Sequence, residues 1–346
     1  MKLQLLLWAG LVSLIPTLIS ATPVWARDQI HIVGSSTVFP FTTTVAERFG
    51  RGTRFQTPVV ESTGSGGGLK LFCQGVGGST PDLTNASRRI KLSEVELCAA
   101  NGVAEIVEIQ IGFDGIVLAN AKSQDRMSLT LEQIFLALAK QVPVDGKLVE
   151  NPNQTWKDVD PSLPDRRIEV LGPPPTSGTR DAFVEIAMEG GAKRLPMLAS
   201  LRKEDKKEFE RIAHTLREDG AYVEAGENDN LIVQKLEANP SALGIFGFSF
   251  LDQNADRIQG SIVDGHEPTF ESIADRRYSI SRSLYVYLKK AHVGQVPGLK
   301  EFVIELTSDR AAGEYGYLSD KGLIPLPEAR RRAVRAAALE LKPLEL

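Results

Sequence analysis

Three short loops rich in serine, threonine and glycine carry the side chains best suited to chemistry, at residues 34–37, 62–68 and 172–179. Each loop is followed by residues with helical periodicity. The first backbone N–H groups of a helix lack an internal acceptor, and the helix dipole makes that end positive. A small anion at such an end accepts several N–H and O–H hydrogen bonds. Three loops of this kind in one chain indicate an anion-binding site.

Hydroxyl, backbone N–H and guanidinium groups in and beside these loops are the candidate anion ligands. They are Ser36, Thr37, Ser65, Ser177, Gly178, Thr179, Arg88 and Arg180. A guanidinium can bridge two oxygens of an oxyanion with paired N–H bonds. The alternatives stay open, because serine and threonine are also the usual helix N-caps. Arg180 can instead pair with Asp181 or Glu185, and Arg88 can instead lie on the surface.

Known phosphate and nucleophile motifs do not fit these loops. A P-loop and a dinucleotide-binding GxGxxG motif, each started at Gly64, both require glycine where this chain has Leu69. A nucleophile elbow needs glycine two residues before and two residues after its serine, and Ser36, Ser65 and Ser177 all fail this test. The four histidines and two cysteines supply few metal ligands. We therefore expect a binding site with no catalytic residue, metal or cofactor.

The composition is that of an ordinary globular protein with nearly balanced charge. The 346 residues include 44 acidic and 40 basic side chains, for a formal net charge of −4, and 42% are hydrophobic. Non-specific nucleic-acid binding requires a basic face, so this balance excludes a nucleic-acid protein that relies on bulk charge. The length is too great for one comfortable core and suits two lobes of about 150 residues each.

A recurring unit of a short β-branched strand, a polar loop and an amphipathic helix positions the candidate groups. The units begin at residues 30, 57 and 168. They predict an α/β fold with largely parallel sheets, whose ligands gather at the carboxyl ends of the strands. Four later segments are predicted as a charged, solvated helix over 203–218, a buried strand over 244–250, a strand over 279–289 and an arginine-rich helix over 327–339.

The N-terminus has the pattern of a cleavable secretory signal. Lys2 is the only charge in the first 26 residues and precedes a long apolar run. Val24-Trp25-Ala26 places small residues at −3 and −1, which predicts cleavage after Ala26 and export of the chain. The alternative is a single membrane anchor, although Pro16 interrupts the run. Cleavage would change the formal net charge from −4 to −5.

Cys73 and Cys98 predict a disulfide bond, because exported proteins keep their cysteines oxidised. The bond would close a loop of about 25 residues and stabilise the chain by roughly 3 kcal/mol in the loop-entropy model. Two buried free thiols are the alternative. A metal or redox role is disfavoured, because the chain has no CxxC motif.

Four motifs in a fixed order resemble those of the periplasmic phosphate-binding proteins of ABC-type phosphate uptake systems, the PstS-like family. The motifs are GSSTVFP from Gly34, STGSGGG from Ser62, NASR from Asn85 and TSGTRD from Thr176. The similarity extends over most of the chain after residue 26 and includes residues 244–250 and 278–282.

The resemblance implies an α/β Venus-flytrap fold, in which two lobes joined by crossover strands close on one dehydrated phosphate. After a signal peptide at 1–26, lobe 1 would comprise residues 27–114 plus 279–346, and lobe 2 would comprise residues 115–278. The crossovers would lie near 112–120 and 271–281. The implied partners are inorganic phosphate and an ABC-type permease in the inner membrane. The resemblance also implies that the protein is periplasmic, is a monomer and is not an enzyme.

The resemblance also assigns donors to each wall of the cleft. Those of the first lobe would be Ser36, Thr37, Val38, Ser65, Ser87 and Arg88. Those of the second lobe would be Ser177, Gly178 and Thr179, with Arg180 nearby.

The chain departs from the better-known enteric pattern at two positions of this site. That pattern has aspartate where this chain has Arg88, and arginine where this chain has Pro173. The aspartate accepts a proton from phosphate and repels fully ionised sulfate. Asp114 is our candidate for a replacement acceptor, with Asp82 and Asp181 as the alternatives.

The leading hypothesis is an exported receptor that binds inorganic phosphate and delivers it to a permease. One alternative is a receptor for another tetrahedral oxyanion such as sulfate, and another is a phosphate sensor or scavenger without a transporter. A phosphatase-like enzyme is disfavoured, because the loops lack metal ligands and a nucleophile–base pair.

Overall fold

The computed structural model describes residues 27–226 and 229–345. The predicted signal segment, with its cleavage site after Ala26, lies outside these residues. Across the described part of the chain, no helix combines the length and the apolar character needed to cross a membrane.

Strands and helices alternate along most of the described chain. The strands are β1 (His31–Gly34), β2 (Val59–Ser62), β3 (Leu83–Ala86), β4 (Ile106–Ala121), β5 (Ser128–Leu129), β6 (Gln141–Val144), β7 (Lys147–Glu150), β8 (Val170–Gly172), β9 (Tyr222–Glu224), β10 (Leu243–Gly247), β11 (Ile258–Gly260), β12 (Ile262–Val263) and β13 (Ser281–Lys289). The helices are α1 (Phe39–Gly52), α2 (Ser65–Phe72), α3 (Leu92–Ala100), α4 (Leu131–Leu138), α5 (Trp156–Val159), α6 (Gly178–Phe183), α7 (Glu189–Ala192), α8 (Pro196–Glu204), α9 (Lys206–His214), α10 (Asp229–Ala238), α11 (Phe248–Gln253), α12 (Phe270–Ala274), α13 (Leu299–Leu306), α14 (Asp309–Ala312) and α15 (Glu328–Leu339). A π-helical turn (Val184–Met188) connects α6 to α7, and short 3-10 turns lie at Lys290–His292 and Ser319–Lys321.

Strand β4 joins the two halves of the main sheet. The strand order is β2-β1-β3-β13-β4-β10-β8-β9, and β11 also pairs with β4. The first part of β4, from Ile106 to Gly115, pairs with β13, and residues 116–119 pair with β10. Strands β1, β2 and β3 are parallel to one another, as are β8, β9 and β10. The predicted α/β fold with parallel strands is confirmed, and the predicted strand over 279–289 corresponds to β13.

Separate apolar cores lie on the two sides of this junction. One core packs α1 and α13 against the sheet that contains β1, and the edge of the Phe302 ring meets Phe49 at a centroid distance of 5.6 Å. Another packs α4 and the π-helical turn around Phe135 and the fully buried Trp156. Strand β4 contributes residues to both cores. The predicted residue boundaries of the two lobes stay a prediction.

Helix α1 is placed by its apolar stripe and by its first turn. Phe41, Val45 and Phe49 recur at four-residue spacing and are buried, so one face of the helix packs on the sheet. Pro40 occupies the first turn, where a missing N–H costs nothing. The strand-to-helix connection before this turn is the first of the polar loops.

Two predicted segments are wrong in extent. Residues 203–218 form two helices and not one, because the carboxylate of Asp205 accepts a hydrogen bond from the Glu208 backbone N–H (3.0 Å) and starts α9. The second helix also buries Phe209, so its surface is not wholly solvated. Residues 244–250 begin as the buried strand β10, but α11 follows directly from residue 248.

The predicted disulfide is confirmed. Cys73 and Cys98 are bonded and fully buried, in a small core that also includes Leu69 and Tyr287. The bond ties the end of α2 to α3 across a sequence separation of 25 residues. It therefore fixes the helix whose N-terminus contains the second polar loop.

We expect the double variant Cys73→Ser, Cys98→Ser to lose roughly 3 kcal/mol of unfolding free energy, because the unfolded chain regains the entropy of the open loop. Urea unfolding measures this loss, and the wild-type protein in reducing buffer serves as the matched control. An unchanged unfolding midpoint in both samples would contradict a stabilising role for the bond.

Candidate functional site

Close backbone packing at two glycines holds the first two loops together. A Cβ atom on Gly68 would lie 2.4 Å from the Cα of Gly34, and one on Gly34 would lie 2.2 Å from the carbonyl oxygen of Asn85. Gly34 also has a φ of 128°, which side chains disfavour. Because glycine leaves room for this close backbone approach at both positions, the N-termini of α1 and α2 lie beside the carboxyl end of β3.

Ser65 and Ser87 connect the second loop to the residue that follows β3. Their hydroxyl oxygens are 3.1 Å apart, and the backbone N–H of Ser87 donates to the Ser65 hydroxyl at 3.1 Å. Several backbone N–H groups here have no hydrogen-bond acceptor within residues 27–226 and 229–345, namely those of Ser36, Thr37, Ser65, Gly66 and Gly67. The N–H of Val38 differs, because it makes a long bond to the hydroxyl of Ser35 (3.4 Å). The N–H donors in the loop before α1 and in the first turn of α2 therefore remain available to a ligand, whereas those of Phe39 and Phe41 in the first turn of α1 bind Ser35 and Val38.

The third loop contacts the first loop across β4, the strand that joins the two halves of the main sheet. The Ser177 hydroxyl caps α6 by accepting from the Thr179 backbone N–H at 3.2 Å. A Cβ atom on Gly178 would lie 3.5 Å from the carbonyl oxygen of Ser36. The Ser36 hydroxyl also donates to the carboxylate of Asp181 at 3.1 Å. The structure thus brings Ser36 of the first loop beside Gly178 and Asp181, which follow Ser177 of the third loop.

Arg180 is positioned by an aromatic ring and not by a carboxylate. Its guanidinium lies 4.4 Å from the centroid of the Tyr222 ring and makes a long contact with the Pro173 carbonyl (3.4 Å). The Tyr222 hydroxyl donates to the same carbonyl at 2.6 Å, and burial raises the pKa of Tyr222 to about 12. Among the described residues, no acidic side chain forms an ion pair with Arg180. Arg180 lies in the first turn of α6, where the helix dipole repels a cation, and a bound anion would offset this repulsion.

Arg88 is engaged by an acidic neighbour. Its two terminal nitrogens donate to the two carboxylate oxygens of Glu94 at 2.9 and 2.7 Å. Burial acts in the opposite direction, yet the bonds from Arg88 hold the pKa of Glu94 below its usual range. The guanidinium of Arg88 is therefore oriented by α3, and only its remaining donors can face a ligand.

The three candidate acceptors lie in different places. Asp114, on β4, is mostly buried with 14% of its side chain exposed, and this burial raises its pKa although Arg282 lies 3.4 Å away. Asp181 faces Ser36 from α6. Asp82 precedes β3 at the opposite edge of the sheet, where it accepts hydrogen bonds from Arg27 and from the backbone of His31. Asp82 is therefore remote from the loops, and Asp114 and Asp181 remain the candidates near them.

Arg282 is the central residue that the sequence reasoning missed. This β13 side chain, 10% exposed, donates to the Thr37 hydroxyl and pairs with Glu185 at 2.6 Å and with Asp114 at 3.4 Å. Its partners lie in the first loop, on β4 and on the π-helical turn. The register that sets Arg282 opposite Asp114 joins residues far apart in sequence, so no local signal identified the contact.

Across residues 27–226 and 229–345, no group of three histidine, cysteine, aspartate or glutamate side chains is arranged to hold a metal ion. The polar groups that do converge are hydroxyls, backbone N–H donors, arginines and two carboxylates. Such a set can bind an oxyanion through directed hydrogen bonds and through the charge of Arg180.

We expect Arg282→Met to lower the unfolding free energy by about 2–4 kcal/mol at pH 7, because it leaves the buried Asp114 carboxylate without a counter-charge. Burial raises the folded-state pKa of Asp114 above its unfolded value, and loss of Arg282 raises it further. Protonation on acidification removes the penalty, so the deficit in urea unfolding should shrink from pH 7 to pH 5.

The matched control is Arg257→Met, which breaks an exposed pair with Glu237 (3.0 Å) and should cost less than about 1 kcal/mol. The double variant Asp114→Asn, Arg282→Met should show no such pH dependence. Equal deficits of Arg282→Met at the two pH values would show that Asp114 is not its essential partner.

Comparison with known proteins places the fold and the loops in a family. A family model described as a PBP superfamily domain matches residues 21–310. Protein SphX of Synechocystis is 31% identical over 318 residues, which cover 89% of this chain and 82% of that protein. The phosphate-binding protein PstS of Staphylococcus saprophyticus is 30% identical over 301 residues, covering 85% and 79%.

A solved structure gives the same result. The crystal structure of a possible phosphate binding protein from Planctomyces limnophilus superposes with a TM-score of 0.71 at 26% identity, covering 91% of this chain and 98% of that one. The periplasmic-binding-protein architecture expected from the four loop motifs is thus confirmed. The chain belongs to the PBP superfamily.

Proposed function

We propose that this protein captures inorganic phosphate between its two halves and delivers it to an ABC-type permease. The observation that carries this proposal is a set of available donors on both sides of the junction. The set consists of N–H groups in the loop before α1 and at the start of α2 that have no acceptor among the described residues, together with the guanidinium of Arg180, which has no carboxylate partner there. The PstS relative and the Planctomyces limnophilus protein are both described as phosphate-binding, which supports phosphate as the anion.

In this proposal each wall of the cleft supplies directed donors. The first lobe, residues 27–114 plus 279–346, contributes Ser36, Thr37, Val38, Ser65 and Ser87, with Arg88 oriented by Glu94. The second lobe, residues 115–278, contributes Ser177, Gly178, Thr179 and Arg180. Closure of the lobes removes water from the anion and strengthens these bonds, because the local dielectric constant falls. The closed surface is then what a permease can distinguish from the open one.

The same proposal makes the protein a binding protein and not an enzyme. The loops supply hydrogen-bond donors, and no histidine lies among the proposed ligands to activate a nucleophile. We further propose that residues 1–26 are removed on export and that the mature chain acts outside the cytoplasm as a monomer.

We expect wild-type protein to bind phosphate with a dissociation constant in the micromolar range or below, measured by titration calorimetry. Ser65→Ala and Arg180→Ala should each weaken binding by roughly 10–100-fold, because each removes a hydrogen bond to a charged group worth about 1.5–3 kcal/mol. Ser162→Ala, at an exposed hydroxyl outside the three loops that binds Asp160, is the matched control and should leave the affinity unchanged. No phosphate heat and no thermal stabilisation by phosphate would contradict the proposal.

A specific observation keeps sulfate as the second candidate ligand, since Arg88 stands where the family pattern has an acidic acceptor. Selectivity for phosphate over sulfate then requires another carboxylate that accepts the phosphate proton. Asp114 is the acceptor predicted from the sequence, and the contact of Asp181 with Ser36 favours Asp181.

We expect Asp181→Asn to weaken phosphate binding by roughly tenfold or more and to leave sulfate binding unchanged or stronger, because a charge-assisted bond to the P–OH group is lost. Competition calorimetry at pH 6 and pH 8 with both anions measures the ratio. Asp114→Asn is the parallel variant, and a loss of discrimination in Asp114→Asn alone would assign the role to Asp114. Tighter binding of sulfate than phosphate by wild-type protein would favour the second ligand.

A further inference from the structure

A cavity of about 840 Å³ extends from Ser87 and Arg282, away from the three loops. Its floor is one face of the β4–β13 pairing, where Gln110 lies opposite Tyr285. Its walls come from the residues after β3, from the connection that precedes β13, and from the start of α15. The volume lies in the range of pockets that hold small organic ligands, so a single tetrahedral oxyanion would fill only a small part of it.

The lining of this cavity is strongly basic. It includes five arginines and one glutamate, and the arginines are Arg88, Arg89, Arg276, Arg282 and Arg330. Three of them have acidic partners, since Arg88 binds Glu94, Arg89 binds Glu108, and Arg282 binds Asp114 and Glu185. Within the described ranges, 27–226 and 229–345, no acidic side chain forms an ion pair with Arg276 or Arg330. Both side chains are exposed to solvent, so their charges are hydrated but have no carboxylate partner among the described residues.

Both of these arginines occupy unfavourable positions. Arg330 lies in the first turn of α15, where the helix dipole repels a cation, and its guanidinium donates to Gln110 at 3.3 Å on the cavity floor. Arg276 has a φ of 57°, in the left-handed region that a long side chain seldom adopts. A polyanion in the cavity would offset the dipole repulsion at Arg330.

The remaining lining distinguishes between classes of phosphorylated ligand. Phe113 and Tyr285 are the aromatic residues of the lining, and they are only 5% and 8% exposed. They offer little ring surface on which a nucleobase could stack. Ser87, Ser281 and Ser283 instead add hydroxyl donors along the same face. The lining thus suits a chain of phosphoryl oxygens better than a nucleoside or a sugar.

We propose that this cavity is a second anion subsite that binds linear condensed phosphates, such as inorganic pyrophosphate and tripolyphosphate. One end of the chain lies near Tyr285, beside which Ser87 and Gln110, the hydrogen-bond partner of Arg330, are placed by the strand pairing. The other end lies toward Arg276, which precedes β13, and Ser281, which begins it. The floor from Ser281 to Tyr285 extends over about 13 Å at the rise of a β-strand, which accommodates several linked phosphoryl groups. The two sites share Ser87 and Arg88, but capture of a single phosphate ion at the three loops does not use Arg276 or Arg330.

The test compares calorimetric titrations of the full mature chain with tripolyphosphate and with inorganic phosphate, at one low ionic strength because salt screens exposed charges. The variant is Arg276→Asn, Arg330→Gln, in which asparagine tolerates the left-handed backbone and glutamine suits the helix. We expect tripolyphosphate affinity to fall roughly 10–100-fold and phosphate affinity to change less than about twofold.

The matched control is Arg54→Gln, Arg202→Gln, which removes the same charge from exposed positions outside the cavity and should leave both affinities unchanged. The proposal is overturned if wild-type protein does not bind tripolyphosphate, or if the cavity variant and the control variant lose equal affinity. Tighter binding of ATP than of tripolyphosphate would also overturn it, because the base would then contribute. If wild-type protein binds tripolyphosphate but not inorganic phosphate, the result contradicts the proposed function and leaves the proposed subsite standing.

Discussion

One nearly buried guanidinium contacts groups from both halves of this protein. Arg282 comes from β13, yet its partners belong to the first polar loop, to β4 and to the helical run that begins at Gly178. It neutralises Asp114 and Glu185, two carboxylates that would otherwise repel each other and any incoming anion. One cation therefore balances a carboxylate on β4 and a carboxylate on the π-helical turn.

An acidic chain can bind an anion only if local dipoles outweigh its overall charge. The mature chain predicted here has a formal net charge of −5, so long-range attraction is not the means. At short range, however, the N–H groups of Ser36, in the loop before α1, and of Ser65, at the start of α2, have no acceptor among the described residues, and these partial charges cost no desolvation of an ion. Arg180 adds one full charge held over a ring. Selectivity then follows from geometry, because directed donors match an oxyanion better than a diffuse positive field does.

The sequence was sufficient wherever the determining interactions are local. Strand–loop–helix units show in short-range patterning, and the two cysteines have one possible pairing, so the α/β fold and the bond between Cys73 and Cys98 were predictable. The partner of Arg88 is also local, since Glu94 lies six residues away at the start of α3. It was not predicted, because the family resemblance assigns Arg88 to the anion.

Contacts between residues far apart in the sequence could not be predicted from local sequence patterns. Arg282 faces Asp114 only because β13 and β4 pair in one register, and residues 168 positions apart give no periodic signal. The split of residues 203–218 is different in kind. There the cap formed by Asp205 is local, and the run of charged residues on both sides of it concealed the helix boundary.

The contact between Ser36 and Asp181 sets a condition on any ligand that enters between the loops. The serine hydroxyl now donates to the carboxylate at 3.1 Å, so an oxyanion that accepts from Ser36 must take this bond over. The partly buried carboxylate then loses a donor, which costs free energy unless the ligand itself supplies a proton. A protonated phosphate can do so and a sulfate dianion cannot. The same pair of residues that brings the loops together can therefore reject the wrong anion, without the aspartate that the family pattern has at the position of Arg88.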